Sequence, residues 1–241
     1  MKPEISVVIP AHNEEVCLPR CLSSVRTAET YLSAPVEIVV VLNRCTDRTE
    51  SIAKGFGAGV VAEPAKNLAR IRNAGILSSQ ADTIVTIDAD SWMSANMLSE
   101  VSRRLSTGRY VGGGVRIMPE RMSPGIFFSS MTFAPRLLLE RSWAGMFWMR
   151  REGFDALGGF DERFVSAEDV DFARRLRAHG RRAGLRYGII NRAYIVTSCR
   201  KFDFFGDWYL FRNRRLVSRI LSGHDQEAAD HFYYDLGRGT E

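Results

Sequence analysis

The sequence predicts an α/β fold in which a parallel sheet with crossover helices is fused to a mixed sheet. Three observations carry this prediction. Short apolar runs alternate with amphipathic segments four times in the first ~90 residues, the pattern of strands joined by helices. Val36–Leu42 is apolar at all but one position, as a strand covered on both faces must be. Ile84-Val85-Thr86-Ile87 runs straight into Asp88-Ala89-Asp90, a buried strand ending abruptly in charge. Ligands of open α/β sheets bind in the crevice at such strand ends.

Taken in order, Ile5–Ile9 is a strand halted by Pro10, and Ala11-His12-Asn13-Glu14-Glu15 opens a helix with Asn13 as its cap. Leu18, Leu22 and Val25 supply the buried face of that helix. Thr46–Glu50 starts a second helix, Val60–Ala62 is a third strand, and Leu68–Ser78 is a helix leading to the Ile84 strand. Beyond Asp90 the alternation loosens. Helices are expected over Ser94–Leu105, Ser123–Arg141, Arg151–Leu157 and Glu168–His179, the last stopped by Gly180. Strands are expected over Tyr110–Met118, Gly145–Met149 and Tyr187–Thr197, with Gly158–Asp161 a turn and the remainder amphipathic helix. No repeat, low-complexity tract or linker divides the chain, so one domain is expected.

Composition narrows the class. A net charge of +5 favours an anionic substrate or surface and is too small to indicate nucleic acid. No run approaches the roughly 20 apolar residues of a membrane span, and Lys2 with Glu4 is unlike a secretory leader. Cys17, Cys21, Cys45 and Cys199 form no C-x-x-C pair and are expected as reduced thiols, so the expected location is cytoplasmic. Gly55-Phe56-Gly57-Ala58-Gly59 follows a helix and precedes a strand, the reverse of a dinucleotide fingerprint, so it reads as helix termination.

Two acidic clusters could carry chemistry. Asp88 and Asp90 at a buried strand end need a positive partner, and a divalent ion with its phosphate ligand would supply one. Ser166-Ala167-Glu168-Asp169-Val170-Asp171 could be a helix cap with acids at the positive end of the dipole. Three carboxylates in four residues exceed what a cap requires, and one placed there could act as a general base.

Val7-Val8-Ile9-Pro10-Ala11-His12-Asn13-Glu14-Glu15, Cys45–Thr49, Arg72-Asn73-Ala74-Gly75, Asp88-Ala89-Asp90, Gly158–Glu162 and Glu168–Asp171 through Arg175-Leu176 to Gly180 occur in one order. Together they resemble the family 2 glycosyltransferases of the GT-A fold, over roughly residues 4–180. The resemblance implies a Rossmann-like nucleotide-binding half (1–92), an acceptor and catalytic half on a mixed sheet (93–199), and a helical C-terminal extension (200–241). It implies that Pro10, Ala11, His12, Asn13, Glu14 and Asn43 hold the nucleotide, with Arg72 at the base or phosphates. Asp88 and Ala89 would face the ribose and sugar, and Asp90, with Asp88, would ligate Mn²⁺ or Mg²⁺. Asp169 would be the general base and Glu168 would contact the acceptor. The implied reaction is metal-dependent, inverting transfer of one sugar from a nucleotide-sugar, by default a UDP-sugar, to a glycan, lipid-linked or small-molecule hydroxyl. The alternative is a non-catalytic sugar-nucleotide binder or scaffold of the same fold.

Departures from the family pattern shape these expectations. Leu42-Asn43 stands where aspartates are usual, and Asn43 could accept from uracil N3–H or donate to cytosine. Asn67 and Ile71 replace a common glycine and alanine. No histidine lies between Tyr187 and Lys201; His179 and His224 are candidate substitute metal ligands, though each reads better as a surface histidine. The Gln-x-x-Arg-Trp signature of processive synthases is absent, which favours transfer of a single sugar. Arg200–Arg215 interleaves cations with aromatics and reads as a packing helix, as a lid closing Arg200 or Lys201 on the diphosphate, or as a peripheral contact with the inner face of an anionic membrane.

Overall fold

In the computed structural model, which describes residues 2–132 and 145–227, burial on both faces accounts for the apolar runs. All seven residues of β1 (Ile5–Ala11) are buried. They lie between β2 (Val36–Leu42) and β4 (Thr83–Ile87), with β3 (Gly59–Ala62) outside β2, all parallel. Helices α1 (Leu18–Glu29), α2 (Thr49–Gly55) and α3 (Leu68–Ser78) make the crossovers. Alternate residues of β1 serve opposite layers. Val7 and Ile9 pack with Leu18, Leu22 and Val25 of α1, whereas Val8 packs with Ile71 and Ile76 of α3.

The polarity changes at β4. Its far edge pairs antiparallel with β7 (Met146–Arg150), which pairs antiparallel with β6 (Tyr110–Pro119). β6 runs parallel to β8 (Arg186–Thr197), and β8 ends the sheet on the short antiparallel β5 (Ser91–Met93). The order is β3-β2-β1-β4-β7-β6-β8-β5, so the mixed half is built directly onto the parallel half. Helices α4 (Met97–Ser106), α5 (Pro124–Met131), α6 (Arg151–Leu157) and α7 (Glu168–Arg182) flank it, and α8 (Arg200–Phe205), α9 (Tyr209–Arg212) and α10 (Arg214–Ser222) follow β8.

Several expectations are corrected. Pro10 does not end β1. β4 partners β1 only through Val8, and Ala11 turns its carbonyl to the Asn43 N–H, so no ladder bond is required of the proline nitrogen. Asn13 is not the cap of α1, which begins at Leu18 after Cys17. Ser166 does not cap α7: Ala167 occupies the cap position, and the Ser166 hydroxyl donates to the Ile220 carbonyl. Gly180 does not stop α7 either. It lies inside the helix, where an added Cβ would approach Val111 Cγ1 to 2.7 Å, so it serves packing against β6. The three-residue β5 escapes any period-based reading. The basic C-terminal stretch is three short helices interrupted at Gly206 and Asn213. The Ser123–Arg141 helix is present over Pro124–Met131, and its expected remainder falls largely outside the described residues. The four cysteines are free thiols, and Gly55 ends α2, as the sequence predicts.

The glycines of β6 have a packing cause. An added Cβ on Gly113 would collide with the Gly188 carbonyl oxygen of β8 and press on the Trp148 ring at 2.8 Å. The resulting slot holds Trp148, fully buried, with its indole N–H donating to the Gly114 carbonyl at 2.9 Å. Gly113→Val is expected to lower stability by roughly 3 kcal/mol or more, the upper range of overpacking costs, as read from the denaturant midpoint. A midpoint at the wild-type value would refute this account of β6.

Candidate active site

The carboxyl ends of β1, β2 and β4 open on one cavity. It is lined by Pro10, Ala11, His12, Glu14, Asn43, Asp88, Ala89, Asp90, Glu168, Arg200 and Lys201, all expected site residues, and by Leu68, Ile71, Val165 and Ser166, to which the sequence assigns no role in the site. Asn13, Arg72 and Asp169 do not line it.

Asn13 instead ties two loops together. At φ 52° it turns the chain, and its side-chain oxygen accepts the Thr46 N–H at 2.8 Å. Asp47 accepts the Glu15 N–H (3.0 Å) and the Thr49 hydroxyl (2.5 Å), and Thr49 Oγ1 accepts the Glu14 N–H (2.8 Å). The Cys45–Thr49 turn is therefore the brace of the Asn13–Glu15 loop, which gives both motifs a mechanical reason. Asn43 is buried, and both hydrogens of its amide are consumed by the backbone carbonyls of Glu63 (2.6 Å) and Ala65 (2.7 Å). Two carbonyl partners fix the amide orientation, and the side-chain oxygen accepts from the Arg44 guanidinium at 3.2 and 3.3 Å, so a ligand would have to share or displace that contact. Donation to cytosine is thereby removed. His12 donates Nδ1–H to the Asn43 carbonyl at 2.5 Å.

Arg72, on α3 and 2% exposed, stands behind the cavity between two acids. It donates to Asp88 Oδ1 at 2.8 Å and faces Glu168 Oε1 at 3.6 Å. The neighbouring Asn73 takes both the N–H and the C=O of Phe160, at 2.8 and 2.9 Å. Gly159, at φ 80°, leaves no room for a Cβ beside that amide. The Arg72-Asn73 pair thus holds the Gly158–Glu162 turn with one side chain and the acidic cluster with the other. Ala167, at φ 54°, bends the chain immediately before Glu168, a strained conformation of the kind found where geometry is functional. Burial, and then the neighbouring Asp169 charge, push Glu168 up to about 7. Burial also raises Asp169 and Asp88, each opposed by Arg72.

From the far side Arg200 crosses the cavity. It grips Glu14 with two hydrogen bonds, 2.5 and 2.7 Å, and reaches Asp90 Oδ2 at 3.1 Å. Lys201 lines both this cavity and a second, of about 250 Å³, that shares Asp88 and Asp90 and is walled by Phe202, Phe205, Tyr209 and Leu210. Burial lowers the Lys201 ammonium. His179 and His224 line neither cavity; His224 packs on Phe164, with ring centroids 4.8 Å apart. Among the described residues no group of three or more His, Cys, Asp or Glu side chains is arranged to hold a metal ion. Asp88 and Asp90 form an all-oxygen pair on a shared wall. That pair suits a hard divalent ion completed by phosphate oxygens.

A parallel nucleotide-type half sheet joined to a mixed half, with an acidic crevice at the strand ends, is the architecture of the GT-A glycosyltransferases. Staphylococcus aureus TarS in complex with UDP-GlcNAc superposes with a TM-score of 0.66 at 16% identity, over 99% of this chain and 76% of that one. A mannosyltransferase from Pyrobaculum calidifontis in complex with GDP-Man and Mn²⁺ does so with 0.64 at 20% identity, over 93% and 63%. The chain belongs to glycosyl transferase family 2, whose family model matches residues 6–158. An uncharacterised glycosyltransferase of Mycobacterium tuberculosis is 34% identical over 104 residues, 43% of this chain and 44% of that protein. The alignment thus spans less than half the length of that relative.

Removal of Arg72 would leave Asp88 and Glu168 without their shared counter-ion. Arg72→Ala is expected to cost about 3 kcal/mol, at the low end for a broken buried pair because Asp88 keeps 37% of its side chain in solvent. The sign with pH follows from the raised carboxylates. Their stabilising contribution is complete below the unfolded value near 4.5 and is lost as pH rises through about 7. The variant's deficit should therefore widen from pH 5 to pH 8 in denaturant titrations. A deficit independent of pH would overturn the assignment.

Proposed function

We propose that the protein transfers one sugar from a nucleotide-sugar to an acceptor hydroxyl with inversion at the anomeric carbon. The carrying observation is the convergence of Asp88, Asp90 and Glu168 with Arg200 and Lys201 on one cavity at the strand ends. Such a site needs opposite charges facing each other across a space for a diphosphate. The His12–Glu14 loop and Asn43 form the nucleoside side. With both amide hydrogens taken, Asn43 can meet a base only through the oxygen it shares with Arg44, which favours a base with an imino N–H, uracil or guanine, and UDP-sugar remains the default donor. Asp88 and Asp90 would hold Mn²⁺ or Mg²⁺, which when bound stabilises charge on the departing diphosphate as a Lewis acid. Arg200 and Lys201 supply fixed positive charge to the same diphosphate; donor entry exchanges the grip of Arg200 on Glu14 and Asp90 for phosphate oxygens.

Asp169 serves as the general base. Burial, and then the Asp169 charge, raise Glu168, and burial raises Asp169 against the pull of Arg72; the assignment of the base to Asp169 follows the family resemblance. The acceptor hydroxyl loses its proton to Asp169 as its oxygen attacks the anomeric carbon and the bond to the diphosphate breaks. Arg72 positions Asp88 and Glu168 and takes no part in the nucleotide contact the resemblance implies.

Calorimetry against UDP, GDP, CDP and ADP with Mn²⁺ should show binding of UDP or GDP, lost in Asp90→Ala and weakened in Lys201→Ala. Binding of none by the folded protein would refute the transferase reading. For the catalytic pair, Asp169→Asn should lower kcat by 10²–10⁴-fold, the usual contribution of a general base. Glu168→Gln should retain more activity and should lose any rise of kcat/KM with pH near 7. The reverse ranking would make Glu168 the base.

A further inference from the structure

Among the described residues, ten large apolar side chains are exposed; Val16, Tyr31, Leu77 and Tyr194 are scattered, whereas Met122, Phe127, Phe128, Met131, Phe204 and Trp208 come from two segments. Those segments pack on each other. Phe128 stacks on Trp208 with ring centroids 5.7 Å apart and planes 17° off parallel. Ser129 Oγ donates to the Asp207 carbonyl at 2.7 Å and accepts the Phe211 N–H at 3.2 Å. The exposed groups of these two segments therefore form one patch, of the kind that marks an interaction surface. A groove of about 340 Å³ runs along it, walled by Phe128, Met131, Phe211 and Val217, with Arg214 among its lining residues. The Arg214 guanidinium lies 4.7 Å from the Phe211 ring centroid, and Arg212, Arg214 and Arg215 are all exposed.

We propose that this face, formed by α5, α9 and the start of α10, docks on an anionic lipid bilayer and draws the acceptor from it. Protruding aromatic and methionine side chains bordered by arginines match the headgroup region. The rings enter the acyl boundary while the guanidinium groups meet phosphates. An apolar groove with an arginine in its wall matches one acyl chain and its charged head. The segment that shows Phe204 and Trp208 to solvent turns Phe205, Tyr209 and Leu210 toward the second cavity, which shares Asp88 and Asp90. One segment thus contributes to both the exposed face and the wall of the second cavity. The docking stands on the surface alone; only the acceptor class rests on the transferase reading.

The test is co-sedimentation of the full chain with vesicles of phosphatidylcholine, with and without phosphatidylglycerol, at low and high salt. Binding is expected to require phosphatidylglycerol and to weaken with salt. Arg212→Glu/Arg214→Glu/Arg215→Glu should lose about tenfold or more in partitioning, and Phe127→Ser/Phe204→Ser should lose binding independently, both with unchanged circular dichroism. Equal binding to both vesicle types, binding to neither, or variants that bind like wild type would overturn the proposal. So would a dimer in size-exclusion chromatography that the phenylalanine substitutions dissolve, because the patch would then belong to a second copy. Nucleotide calorimetry without vesicles separates the two readings: donor binding that persists without vesicle binding removes the docking alone.

Discussion

The buried guanidinium of Arg72 is the contact on which the charge arrangement of the site depends. Three carboxylates, Asp88, Glu168 and Asp169, draw on it. Without a counter-ion they would repel one another and resist burial. One buried cation offsets their burial only in part, and all three are raised, Glu168 to about 7. That partial compensation is useful. The cluster still attracts positive charge, and Arg200 reaches Asp90 from the opposite wall. The cavity is thus poised to exchange one set of charges for another when an anionic ligand enters.

Rigidity around the cavity comes from side chains that bond to backbone. Asn13, Asp47 and Thr49 lock the two nucleoside-side loops together, while Asn67 and Asn73 hold the turn after α6. The Nδ2 of Asn67 donates to the Glu162 carbonyl at 2.8 Å. The Ser166 hydroxyl pins the loop before Glu168 to the end of α10. The cavity-lining side chains are therefore flanked by side chains that hold loops still, an arrangement that preorganises the site.

The parallel half was legible from sequence because a strand buried on both faces must be written almost entirely in apolar residues, and Val36–Leu42 and Ile84–Ile87 are. The strand-end acids were legible for the complementary reason that charge there is costly without purpose. What escaped prediction depends on geometry across the sheet. Asn43 looks like a base reader of either hand until the Glu63 and Ala65 carbonyls are seen to take its hydrogens. Arg72 looks like a phosphate ligand until α3 is seen to seat it behind Asp88. Gly180 resembles a helix stop and is a packing contact with Val111. In each case the local signal was real, and a partner distant in sequence decided its use.

The pairing of Glu14 with Arg200 joins residues 186 positions apart. The first wall of the donor cavity is complete by Asp90, yet its cationic wall leaves the ribosome only after the last strand of the sheet. A growing chain can close its βα crossovers early, because their contacts are local, but Glu14 and Asp90 wait for Arg200. The bridge that closes this wall of the cavity therefore forms only after the last strand of the sheet has been made, so it marks a late stage of folding rather than an early one.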